Sequence, residues 1–124
     1  MVNLKFRAWD KEKEMWVNDV YISQDGWLFQ LSIDDHNPNI EIVLCTGLYD
    51  CNVREIYEGD ILGKELHWSI RIEFERGVFW VRDVGKVRYI NKILNIPIAY
   101  FDLSEWEVIG NVFENLELMK GGGE

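Results

Sequence analysis

Carboxylates are the most abundant reactive groups in this 124-residue chain, with 22 Asp and Glu against 13 Lys and Arg and a formal net charge of −9. Two sets have ligand types suited to a divalent cation: Asp34 and Asp35 with His36, and Glu58 with Asp60. Both sit among turn formers, where an aspartate usually accepts hydrogen bonds from its own backbone. Metal ligands normally converge from several elements, so no metal is expected at either place. His36 and His67 are the only histidines, and neither has a zincin or phosphate-handling spacing. Ser23, Ser32, Ser69 and Ser104 lack a nucleophile elbow, and no glycine-rich loop leads into Lys followed by Ser or Thr. The expectation is a noncatalytic protein without catalytic residues or a cofactor.

Cys45 and Cys51 match neither a CxxC redox motif nor a zinc pair with partners elsewhere, and read as two reduced thiols. The larger surplus is aromatic: six Trp, five Tyr and six Phe. Trp9, Trp16, Trp27, Trp68, Trp80 and Trp106 cannot all be equally buried in so small a domain. Any left outside are candidates for an interface, where Trp and Tyr concentrate binding energy. Trp16, Trp27, Tyr49 and Trp68 are the expected protein-interaction anchors. A second reading comes from the segment Lys64 to Lys92, where Lys64, Arg71, Arg76, Arg82, Lys86, Arg88 and Lys92 outnumber Glu65, Glu73, Glu75 and Asp83. Trp68 and Trp80 lie among these bases, and aromatics interleaved with cations are what a single-strand nucleic-acid groove uses. Arg71, Arg76, Arg82, Arg88 and Lys92 would carry that function. Against it stands the overall acidity, because phosphate binding depends on cations displacing counterions.

The elements that must position these residues read mostly as strands. Leu4, Phe6 and Ala8 alternate with Lys5, Arg7 and Trp9, and a polar turn at Asp10 to Glu14 leads to Met15-Trp16-Val17. Val20 to Ser23, Asp25-Gly26 and Trp27 to Leu31 form a hairpin pattern with a type I′ turn, followed by a loop over Ser32 to Asn39. Ile40, Ile42 and Leu44 continue as a strand into the stretch Thr46 to Leu62. There Gly47 and Gly59 can take positive φ, and Asp50, Asn52 and Asp60 can bond nearby amides. Ile70, Ile72 and Phe74 alternate with Arg71, Glu73 and Glu75, then Arg76-Gly77 turns the chain into Val78 to Val81. The segment Arg82 to Asn95 fits either one short helix or a long loop. Pro97 marks an edge. Trp106, Val108, Gly110 and Val112 are expected on one face of a last strand, with Asn115 capping a helical turn through Met119. Gly121 to Glu124 read as a flexible tail.

Three blocks of this chain resemble the YopX family of small proteins encoded by phages and prophages of Gram-positive bacteria. They are Lys5-Phe6-Arg7-Ala8-Trp9-Asp10; Thr46-Gly47-Leu48 with Asp50, Asn52 and Glu55 to Ile61; and Glu107 to Asn111 with Glu114-Asn115 and Glu117-Leu118. Val53 stands where the family usually has glycine, and Leu116 where it usually has proline. The resemblance implies a mostly β protein with a small SH3-like barrel, oligomeric in some form, with no established activity. Together with the strand pattern it gives one domain over 1–124: N-terminal hairpins over 1–45, a barrel-like part over 46–120 and a short C-terminal helical turn. The corresponding function is a phage-type accessory protein that binds copies of itself or a host or phage protein. With no run of eighteen apolar residues and no cationic leader before an apolar block, membrane attachment is not expected, and the expected location is the host cytoplasm.

Overall fold

The computed structural model describes residues 5–18, 20–22, 28–30, 35–36, 39–64, 68–84 and 94–119. These are mostly antiparallel strands, arranged in two compact units, Met1–Leu44 and Cys45–Glu124.

In the first unit, β1 (Phe6–Asp10) pairs with β2 (Met15–Val17), with Trp9 opposite Trp16. The turn between them is closed by Asp10, whose carboxylate accepts from the amides of Glu12 (2.9 Å) and Lys13 (3.0 Å). β3 (Val20–Ile22) and β4 (Leu28–Gln30) form the expected hairpin, while Asp25-Gly26 lies outside the described residues. The expected loop after it contains a two-residue strand, β5 (Asp35–His36), on β4. β6 (Ile40–Tyr49) is longer than expected. Its first half pairs with β1 over Ile40 to Leu44, burying Ala8, Trp9, Ile40 and Val43.

In the second unit, the end of β6 pairs with β7 (Glu55–Tyr57), in a register that shifts between Cys45 and Tyr49. A five-stranded antiparallel sheet follows in the order β11, β10, β9, β8, β12, curled into a half-barrel. Its strands are β8 (Asp60–Lys64), β9 (Trp68–Glu75), β10 (Val78–Asp83), β11 (Asn95–Pro97) and β12 (Glu107–Asn111). The tight turn between β9 and β10 puts Arg76 at φ 53° and Gly77 at φ 81°, as a type I′ turn requires. β11 is an edge, consistent with Pro97 having no amide hydrogen to donate. The core is Ile56, Leu62, Ile70, Ile72, Val81, Ile98, Leu103, Trp106 and Val108, with Phe79, Leu94 and Phe101 packed on it.

Two expectations near the C-terminus need correction. The register of β12 shifts between Val108 and Gly110, a bulge that resets the alternation of sides, so Asn111 rather than Gly110 is the next buried residue after Val108. Asn115 precedes α1 (Leu116–Met119), but its side-chain oxygen accepts from the Asn111 amide (3.1 Å) instead of serving the helical turn. Asn111 reciprocates by accepting from the amides of Phe113 (3.0 Å) and Glu114 (2.8 Å), which folds the chain end back on β12. Most of the segment left open between helix and loop, residues 85–93, lies outside the described residues.

Candidate functional site

The stretch Thr46 to Leu62 is a frame of turns held by side chains. Thr46 Oγ1 donates to the Ile56 carbonyl (2.8 Å) across the hairpin and accepts from the Leu48 amide (3.1 Å). At the hairpin end the Asp50 amide donates to the Arg54 carbonyl (2.9 Å). Asp50 Oδ1 accepts from the amides of Asn52 (2.9 Å) and Arg54 (2.8 Å), and Oδ2 from that of Val108 (2.9 Å), 58 positions away in β12. The Cys51 amide adds a bond to the Trp106 carbonyl (2.9 Å). Burial works against the Asp50 charge, but the amides of Val108, Arg54 and Asn52 outweigh it and hold the carboxyl below its ordinary value. At the next corner Asp60 Oδ2 accepts from the Tyr57 amide (2.8 Å), and the Gly59 amide and carbonyl bond Ile72 (2.6 Å) and Val112 (2.8 Å). Asp60, one of the metal candidates, is therefore a turn-closing residue. Among the described residues no group of three or more His, Cys, Asp or Glu is placed to hold a metal ion.

The interaction anchors separate. Trp16 is half-buried, with the Arg7 guanidinium 4.3 Å over its ring and Trp9 at 4.9 Å edge-on, so much of its surface is spent within the fold. Tyr49 is 54% exposed at the hairpin end. Trp68 opens β9 opposite Lys64, and Trp27 lies outside the described residues. Trp9 and Trp106 are core, while Trp80 is half-buried.

The basic candidates separate as well. Arg71 donates from Nε to Glu73 (2.8 Å) and from Nη1 to the Asp83 carbonyl. Arg82 donates to Glu73 from Nη1, to Glu75 from Nη2 (2.7 Å) and to Asn95 Oδ1 from Nε (2.8 Å), and lies 5.5 Å from the Trp80 ring centre. Burial raises the Glu73 carboxyl, but bonds from Arg71 and Arg82 prevail and lower it. The network links β9, β10 and β11, and leaves these two guanidinium groups engaged with protein acceptors. Arg76 is exposed in the β9–β10 turn, and Arg88 and Lys92 lie outside the described residues.

Val53, the residue that stands where the family usually has glycine, marks the turn whose backbone departs most from what its side chain favours. It is 76% exposed and has φ 62°, a left-handed conformation unfavourable for a β-branched residue. Val53→Gly is expected to raise stability by about 1 kcal/mol, since relieving the left-handed penalty outweighs glycine's extra unfolded-state entropy. Urea denaturation checks it, and an unchanged or lower midpoint would contradict the strain.

Fold and site together define a small antiparallel β protein whose most distinctive polar residues brace turns. The chain belongs to the YopX family: the sequence profile described as YopX protein matches residues 5–120, nearly the whole chain. The fold is similar to that in the crystal structure of protein EF1440 from Enterococcus faecalis, with a TM-score of 0.62 and 23% identity over 96% of this chain and 99% of that one. No protein with a curated description matches the sequence.

Proposed function

We propose that this is a noncatalytic accessory protein of the phage type, acting in the host cytoplasm by recognition through acidic and aromatic surface, either of another protein or of its own copies. The observation that carries the reading is the division of labour in the signature stretch. Its carboxylates Asp50 and Asp60 are committed to backbone amides, while Leu48, Tyr49 and Val53 stand exposed beside them. Exposed aromatic and aliphatic groups on a hydrogen-bonded frame suit binding, because little backbone freedom remains to be lost. Light scattering over a concentration series distinguishes the two modes. A mass that rises with concentration and falls on Tyr49→Ser supports self-assembly; a constant monomer mass directs the search to a foreign protein.

The second reading, a nucleic-acid-binding SH3-like module using Arg71, Arg76, Arg82, Arg88 and Lys92, is weakened by the engagement of Arg71 and Arg82 with Glu73 and Glu75. Binding to single- and double-stranded DNA is expected to be undetectable at low salt. A steep salt-dependent affinity lost in the Arg71→Ala, Arg82→Ala double variant would restore this reading.

A further inference from the structure

We infer that the β6–β7 hairpin end is the docking element, and that its partner is a protein surface with an apolar pocket rimmed by Lys and Arg. This deepens the reading above and rests on it. The residues are Leu48, Tyr49 and Val53, which are 39%, 54% and 76% exposed and lie within one hairpin end closed by the bond from the Asp50 amide to Arg54. Val53 carries the argument furthest. A left-handed φ of 62° is a cost to the folded chain, and a side chain so exposed recovers little of it by burial. Glycine would make the same turn without strain. The methyl groups of Val53 therefore have their use outside the fold.

The charge around the hairpin end selects the partner's chemistry. Arg54 is the single basic residue between Cys45 and Glu58. Glu55 stands opposite Tyr49 in the strand register, and exposed Glu107 is held beside the loop by Asn52 Nδ2 (2.9 Å). Glu105, two residues before Glu107, is also exposed, with Lys64 3.7 Å away. A second copy of this chain would bring a further −9 toward this acidic rim, and nucleic acid would bring phosphates. A cationic rim around a nonpolar pocket complements both features. The frame beneath is well braced, since Thr46 bonds the loop to β7, Asp50 bonds it to β12 and Cys51 bonds it to Trp106 just before β12.

The experiment places a photo-crosslinking benzoylphenylalanine in the full-length chain at position 49, 53, 16 or 100, one at a time, in cells that naturally make the protein. Tyr100 is 82% exposed and lies outside the hairpin, so it controls for simple accessibility. Adducts from positions 49 and 53, absent from 100, should join one partner at a segment carrying Lys or Arg beside apolar residues. With that partner purified, Val53→Gly should raise Kd by about tenfold without lowering the melting temperature. Wild-type affinity should also fall as salt rises. Adducts to a second copy of the chain, adducts only from 16 or 100, an acidic partner segment, or an unchanged Kd for Val53→Gly would each overturn the assignment while leaving recognition as the function. No protein adduct from any of the four positions would overturn recognition itself.

Discussion

Replacing Asp50 with alanine is expected to lower the stability of the Cys45–Glu124 unit by about 3 kcal/mol, which at this size corresponds to a fall of about 12 °C in melting temperature. Three amide donors lose a charged acceptor at once, and the Val108 amide is left without this partner beneath the loop. Cys51 to Arg54 around it are exposed, so water can replace the bonds to Asn52 and Arg54 in part, and the total stays below that of three full charged hydrogen bonds. Asp50→Asn is a sharper probe. One oxygen can still serve Asn52 and Arg54, but the amide group then turns a donor toward the Val108 N–H, and about 2 kcal/mol should be lost.

The acid dependence follows from the direction of the Asp50 shift. The folded carboxyl lies below its ordinary value of 3.8, so its stabilisation is complete above that value and is lost as pH falls through the folded one. The gap in melting temperature between the wild type and Asp50→Asn should be constant near neutrality and close as pH drops below about 4. Thermal denaturation followed by circular dichroism from neutral to strongly acidic pH tests this. A gap independent of pH down to the acid limit would show that Asp50 is not an ionised clamp.

Gly59→Ala is expected to cost about 3 kcal/mol, the left-handed penalty plus a packing clash. At φ 84° an added Cβ would lie 2.6 Å from Phe113 Cε2 and 3.2 Å from Val112 Cγ2. The backbone cannot easily yield, since the Gly59 amide and carbonyl are bonded to Ile72 and Val112. Gly47→Ala is the control: its φ is 82°, but a Cβ there meets nothing within 4 Å, so only the left-handed penalty of about 1 kcal/mol remains. Equal losses for the two variants in urea denaturation would mean that Phe113 moves aside without cost and that the chain end is not packed against this corner.

Much of the placement of strands and turns was legible because its signals are local. Alternation at Ile70, Ile72 and Phe74, the Arg76-Gly77 turn, and Pro97 at an edge each follow from the chemistry of a few neighbouring residues. The same locality set the limits. The bulge in β12 inserts a residue that no alternation rule anticipates, so Gly110 was expected on the wrong side. Asn115 was expected to cap a helix because the pattern of side chains does not reveal the competing Asn111 amide. Likewise, the acids Glu73 and Glu75 were counted as separate charges in a basic segment; strand pairing brought Glu73 and Glu75 to Arg82 and made the pair a cross-strand clamp.

By itself, the sequence determined that the chain is a mostly antiparallel β protein with sharp corners at Gly59 and Gly77, because residue type restricts backbone angles directly. Gly47, expected at a corner, instead takes its positive φ inside β6 where the register shifts. Only the tertiary structure decided what those corners hold. Asp50 meets Val108 across 58 positions, two arginines turn to carboxylates, and Val53 is left strained and exposed, since contacts between distant segments exist only once the sheets have formed.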